Sequence, residues 1–363
     1  MPTAIHNMTH PETHPSPGRS CPLHYRYGAA SLARPAEADC ETLYVVGGLY
    51  GNDVSLDSVL TLFDAEPGPK RLVFNGDFHW FDRDPAVFAA VQRRVLAFDA
   101  LRGNVETELA DASATGDAGC GCAYPAWVGD GVVERSNRIL AGLRGGLNLS
   151  PDGVALRAQL AALDMTRRVD VAGVRVGIVH GDADSLAGWG FAAEHLADSG
   201  LGEADPGAVD PGAADLGEAD IGGAGHRAQA RAWFDMAQVD LFACSHTCLP
   251  VFHSLPMAGR RFTPAVLNNG AAGMPNFRAD SSGLLTRISV HAVLPAHAAQ
   301  RRHGLQRGGV HIDALAVDIP ADQWHPRFLA QWPAGSDGHA SYWARICAGP
   351  DHAPEDALRS DFD

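Results

Sequence analysis

The sequence predicts an α/β fold with a second sheet stacked on the first, and three observations predict it. Short apolar runs close on turn residues that carry polar side chains, as where Leu72-Val73-Phe74 runs into Asn75-Gly76-Asp77-Phe78-His79. A brief hydrophobic run ended in this way reads as a buried strand. Between Leu43 and Gly103 such runs alternate with helical patterns in the order β-α-β-α-β, which predicts parallel strands with right-handed crossovers. After His246 the strands follow one another without long helices between them, the pattern of a second sheet packed face to face.

Residues 1–40 carry several prolines and polar residues without a sustained period and are expected as an N-terminal tail, partly disordered. The first strand is expected at 44–47, followed by a helix that Asp53 or Ser55 caps, with Val54, Val59, Leu60 and Phe63 facing inward. Pro67-Gly68-Pro69 ends that unit, and Pro85 in a first turn starts a helix over 85–98. Residues 116–125 read as a loop of Gly and Cys, with helices at 132–143 and 154–163 after it. Two Val-rich runs separated by Ala172-Gly173 read as a hairpin that delivers His180, and Asp184 or Ser185 then begins a helix to about Ala197. Residues 199–225, rich in Gly, Ala, Asp and Glu and without an aromatic, are expected as a disordered acidic insertion. A helix over 226–238 leads into a strand at 239–244, and short strands at 251–253, 266–268, 284–291 and 310–317 complete a domain that spans 41–320. Residues 321–363 form a C-terminal helical extension, with pieces at 324–331 and 342–347 and no chemistry of their own.

At 363 residues and 46% hydrophobic content the chain can bury a full core. Its formal charge of -15 argues against a nucleic-acid or anionic-membrane surface, since both call for Lys and Arg. A phosphate substrate stays compatible, because a bound cation reverses the local field. Seven scattered cysteines are unlike a disulfide framework and fit a reducing compartment. No apolar run approaches the ~20 residues of a membrane span, the first residues lack a signal-peptide hydrophobic region, and the cytoplasm is the expected location.

Asp77, His180 and His246 each stand just beyond an apolar run, and Leu101-Arg102-Gly103 brings Asn104 to the same kind of position, where ligands of open α/β sheets bind. Singly, Asp77 and Asn104 are ordinary turn residues and His180 an ordinary core histidine. Their joint recurrence at strand ends makes a metal site the better reading. Cys248 reads as a small buried hydrophobe, and Tyr50 is even between packing and lining a cleft. His79-Trp80-Phe81-Asp82 reads first as core. Cys120 and Cys122 are spaced too tightly for a zinc knuckle and read first as a structural loop, with redox or metal binding as the alternative.

Taken in order, Gly51-Asn52, Gly76-Asp77, Gly103-Asn104-Val105-Glu106, His180-Gly181, Ser245-His246-Thr247 and Asn269-Gly270-Ala271-Ala272-Gly273-Met274-Pro275 resemble the calcineurin-like metallophosphoesterase superfamily. They look most like its small bacterial phosphodiesterase branch, over residues 43–276 apart from the acidic insertion. The resemblance implies a four-layer αββα sandwich of two mixed sheets. It also places Asp77 where the family bridges two metals, with Asn104, His180 and His246 completing the second. The other metal site departs from the family: Gly48 and Tyr50 stand for its usual Asp and His, and Cys248 for a further His. Glycine has no donor, tyrosine binds only as a phenolate against a pKa of ~10, and cysteine suits zinc or iron as a thiolate. One ion on Asp77, Asn104, His180 and His246 is therefore expected rather than two. A second site rebuilt from Tyr50, Cys248 and His79 or Asp82 is the alternative.

The resemblance implies a hydrolase: a metal-dependent phosphoesterase acting on a small phosphorylated substrate, mono- or diester, through water activated by Mn, Fe or Zn. Asp77 and Asn104 would serve catalysis as well as ligation. Val105 replaces the family's usual His proton donor, so esters with activated leaving groups are the expected substrates. The alternative is a catalytically impaired relative that binds a metal or ligand as a regulatory module.

Overall fold

The structure, a computed structural model, describes residues 16–112, 118–196, 222–359 and 362. Part of the segment assigned to the N-terminal tail is built into the fold: Tyr25 and Leu32 are fully buried, and β1 (Ala38–Cys40) is a sheet strand. β2 (Thr42–Val46), α1 (Asp53–Ala65), β3 (Lys70–Asn75), α2 (Pro85–Val95) and β4 (Asp99–Leu101) follow in the expected alternation. The cap of α1 is neither Asp53 nor Ser55 but Asn52, whose backbone is still extended and whose side chain accepts from the Ser55 N–H at 3.0 Å. Asp84 caps α2 ahead of Pro85.

Next come α3 (Asn104–Ala110), α4 (Asp130–Leu149), α5 (Gly153–Ala161) and the expected antiparallel hairpin of β5 (Thr166–Val171) and β6 (Val174–Val179). The helix expected from Asp184 or Ser185 shrinks to one turn, α6 (Ala193–Leu196). Asp182 accounts for this, because its carboxylate accepts the N–H groups of Asp184, Ser185 and Gly190 at 2.9, 3.0 and 3.0 Å and holds the segment as a loop. Of the expected acidic insertion, residues 199–221 lie outside the described residues, and 222–225 open α7 (Gly222–Ala237).

The remaining strands are β7 (Leu241–Cys244), β8 (Pro250–Ser254), β9 (Ala265–Asn269), β10 (Gly283–Ser289), β11 (Arg301–Arg307) and β12 (Val310–Val317). β11 is too polar to read as a strand from its sequence; it sits at a sheet edge, where charged side chains are usual. The C-terminal extension holds α8 (Ala321–Gln331), α9 (Asp337–Ala348), α10 (Pro354–Ala357) and β13 (Leu358–Arg359). No helix among the described residues is long and apolar enough to cross a membrane.

Two mixed sheets result, one of seven strands in the order β1-β5-β6-β7-β9-β8-β13 and one of six in the order β11-β12-β10-β2-β3-β4. The strands after His246 do not make the second sheet by themselves. β8 and β9 join β6 and β7, whereas β10 pairs antiparallel with β2 and carries β12 and β11 with it. The period of two along β2 and β3 sets the layers. Leu43, Val45 and Val73 join Val176, Ile178 and Leu241 in one buried cluster between the sheets. Tyr44, Val46 and Phe74 face the other way, into a cluster with Phe63, Phe88 and Leu140 of the covering helices. Beyond the seven-stranded sheet, Phe242 packs with Phe234 of α7. This is the αββα sandwich that the motifs implied.

Candidate metal centre

The centre is built where β3, β4, β6 and β7 end. After β3 the chain turns through Gly76 and Asp77, both left-handed at φ 76° and 49°, a conformation that is uncommon for an aspartate. A Cβ on Gly76 would strike Gly103 and His180, and one on Gly103 would strike Asp77. These two glycines let two strand-end loops close on each other. Glu106, fully buried, ties them together: its carboxylate accepts the N–H groups of Asp77 and Gly103, each at 2.8 Å, and of His79 at 3.2 Å. Burial and the nearby Asp77 hold the Glu106 carboxyl above its ordinary pKa.

Four side chains converge there. The Nε2 of His180 lies 3.3 Å from Asp77 Oδ1, 3.2 Å from Asn104 Oδ1 and 3.2 Å from His246 Nδ1. Each neutral donor is oriented by a backbone carbonyl behind it. His180 Nδ1 donates to Asn75 O at 2.8 Å, His246 Nε2 to Cys122 O at 3.0 Å, and Asn104 Nδ2 to Cys120 O at 2.9 Å. Those bonds fix the tautomers of the neutral rings, and both bare nitrogens therefore face the centre. Burial and the neighbouring His180 draw His246 down to about 4, so it is neutral near pH 7. Burial opposes charge on Asp77, yet His180 beside it holds the carboxyl below its usual range; burial likewise opposes charge on His180, and Asp77 raises it above its ordinary value.

A carboxylate oxygen, an amide oxygen and two imidazole nitrogens suit a divalent transition metal, and outer carbonyls that fix ring orientation are a usual part of such sites. Asp77, His180 and His246 each offer one ligand atom within 4.8 Å of the others, and Asn104 Oδ1 joins them through its contact with His180. All four residues singled out from the sequence are thus brought together.

Of the residues considered for a second ion, Tyr50 and Cys248 meet, whereas His79 and Asp82 bond each other. His79 Nδ1 is bonded to Asp82 at 2.6 Å and its ring stacks on Phe88, so both groups turn into the core. The Tyr50 ring covers Gly48, whose added Cβ would stand 3.0 Å from it. Tyr50 Oη and Cys248 Sγ face each other at 2.8 Å. Burial and its neighbour Cys248 keep the Tyr50 phenol well above its ordinary pKa, and burial pushes the Cys248 thiol up despite Arg345.

Beside the centre opens a cavity of about 200 Å³ walled by Tyr50, Trp80, Tyr124, Trp189 and Tyr342, with Cys122 and Cys248 at its edge. Of these, Tyr342 comes from the extension read as having no chemistry. Its neighbour Arg345 donates to Cys248 O at 2.8 Å and Pro275 O at 2.9 Å, which anchors α9 to two of the motif loops. In the cysteine loop, Cys120 and Cys122 are joined as a disulfide.

No family model matches the chain, and neither does any curated protein. Among solved structures, a hypothetical protein from Pyrococcus horikoshii is 12% identical, with 85% of this chain and 99% of that one covered and a TM-score of 0.52. A metallophosphoesterase from Sphaerobacter thermophilus is 13% identical over 86% of this chain and 100% of that one, with a TM-score of 0.48. At such identities the likeness is one of fold.

Proposed function

We propose that this chain, folded as calcineurin-like phosphoesterases are, is a metal-dependent phosphoesterase that hydrolyses a small phosphomonoester or phosphodiester with one divalent ion on Asp77, Asn104, His180 and His246. One observation carries the reading. Two imidazole lone pairs point at each other across 3.2 Å, with an amide oxygen and a carboxylate oxygen at 3.2 and 3.3 Å from one of them. Without an ion only a proton on His180, which Asp77 favours, eases the repulsion among these acceptors, whereas one divalent ion would satisfy all four. A divalent ion so held supplies Lewis acidity toward a phosphoryl oxygen and lowers the pKa of water toward ~7.

The chain's own groups do the rest. The Val105 N–H donates to Asp77 Oδ1 at 3.3 Å and fixes the carboxylate. Asn104 is held by Cys120 O and presents its oxygen to the same point. The aromatic walls exclude water from one side of the reacting ester. Among the described residues lining the cavity there is no Lys or Arg, so little positive protein charge meets the phosphate, which favours esters of low charge. Val105 offers no proton to a departing oxygen.

Elemental analysis of protein purified without chelator, beside hydrolysis of nitrophenyl phosphate mono- and diesters with Mn, Fe and Zn, tests the reading. About one ion per chain and turnover that Asp77→Asn abolishes are expected. Absence of metal would end it. Val105 and the Tyr50–Cys248 contact favour a second reading, a catalytically impaired module, which metal without turnover on any ester would select.

A further inference from the structure

We propose that Cys120 and Cys122 form a redox-active pair whose state sets the affinity of the neighbouring centre for its ion; this rests on the metal reading above. Both carbonyls that orient Asn104 and His246 belong to this one tripeptide. Cys120 O accepts from Asn104 Nδ2 at 2.9 Å, and Cys122 O accepts from His246 Nε2 and from Trp189 Nε1, each at 3.0 Å. The Cys122 sulfur itself lies 3.5 Å from Asn104 Nδ2. A bond between the two sulfurs across a single residue therefore constrains the peptide groups that aim two of four ligands.

The surroundings give the pair a direction of reaction. Cys122 borders the cavity, whereas Cys120 is fully buried. A soluble reagent meets Cys122 first, and Cys120 is the resolving partner. Gly119, Gly121 and Ala123 are all left-handed, at φ 60°, 68° and 48°. A Cβ on Gly121 would strike the Tyr25 hydroxyl, so this loop shape is specified by its sequence.

Oxidation proceeds by thiol–disulfide exchange with a low-molecular-weight disulfide. The Cys122 thiolate attacks one of its sulfurs and expels a thiolate. Cys120 then attacks the Cys122 sulfur of the mixed disulfide and expels the second. Two electrons pass to the small disulfide, and the two cysteine protons end on the two released thiols. In reducing compartments such pairs are usually transient and redox-sensing.

The test uses the full chain equilibrated anaerobically in glutathione buffers of graded oxidation, with the bonded cysteines identified by peptide mass. Calorimetry then reads its affinity for Mn²⁺, an ion that thiolates do not favour. The disulfide form should bind Mn²⁺ roughly 10–100-fold more tightly than the dithiol, the usual scale for loss of outer-shell orientation. A Cys120→Ala/Cys122→Ala protein should show one affinity in all buffers; should that variant not fold, Cys122→Ser alone should match the reduced wild type. Equal affinities in the two wild-type forms would overturn the switch and leave the metal centre standing. A redox response that persists in the double variant would also overturn it. No Mn²⁺ binding in either form would overturn the metal reading and the switch with it.

Discussion

The hydroxyl of Tyr50 lies 2.8 Å from the sulfur of Cys248, and the two groups satisfy each other where the motif order would put a second cation beside Asp77. Both keep their protons near neutral pH, because burial holds each above its ordinary pKa. A phenol and a thiol that stay protonated are poor ligands, and the Arg345 guanidinium is bonded to the Cys248 carbonyl close by. Metal content should therefore saturate at about one ion per chain. Tyr50→Phe and Cys248→Ala should leave that ratio unchanged. Two ions per wild-type chain in elemental analysis would contradict the reading.

Glu106 is the residue on which the loops around Asp77 and Gly103 depend, since three N–H groups converge on its carboxylate. Glu106→Gln turns one of those acceptors into a donor that faces N–H groups. Unfolding stability should fall by about 1.5–3 kcal/mol, the range for a hydrogen bond to a charged group, and affinity for Mn²⁺ should fall with it. Urea denaturation and calorimetry read the two effects separately. Lost stability at unchanged metal affinity would mean that Glu106 serves the fold alone.

Val105 is 1% exposed and lines the cavity together with Asp77 and the aromatic walls. Val105 gives a departing alkoxide no acid where the family has its His, so rates across aryl phosphodiesters should depend steeply on leaving-group pKa. Val105→His should flatten that dependence by supplying a donor, speeding the poorest leaving groups by up to about 10²-fold, the lower scale of general acid catalysis. An equally steep series in the variant would show that protonation does not limit the reaction.

Three of the four residues of the candidate centre, Asp77, His180 and His246, were legible because each closes a short apolar run, and a run of that kind fixes both a strand and the place where its polar end emerges. Partner choice was not legible. β8 and β10 follow each other with only β9 between them, yet they belong to different sheets, since strand pairing is decided by distant neighbours. The same distance hid Tyr342 and Arg345. Nothing local marks α9 as part of the cavity, and Arg345 reaches Cys248 only because the sandwich brings its edge there. Asn52 was passed over as a cap because Asp53 and Ser55 have the same preference, and only the extended backbone at 52 separates them. The role of Cys120 and Cys122 lies in their backbone carbonyls, which residue type does not advertise.

Arg287 is fully buried in β10, where its guanidinium binds the Glu66 carboxylate at 2.6 and 3.0 Å and Asp313 at 3.1 Å. Tyr44 adds a bond to Glu66 at 2.8 Å. Burial opposes a charge on Glu66, but the bonds from Arg287 prevail and hold its carboxyl below the usual range. As pH falls, the unfolded chain thus takes up this proton before the folded chain does. The stabilisation is whole above the unfolded value of ~4.3 and drains as pH falls through the lower folded value. Arg287→Met leaves Glu66 buried without its counterion, while Asp313 keeps its bond from Arg301 at 3.0 Å, and should destabilise the protein by about 3–5 kcal/mol near pH 7. In that variant the carboxyl no longer favours the folded state when ionised, so the gap from wild type should narrow as the solution is acidified below ~4.3. Urea midpoints measured from pH 7 down to the acid limit check this; a gap that stays constant over that range would show that Glu66 does not titrate with the pair.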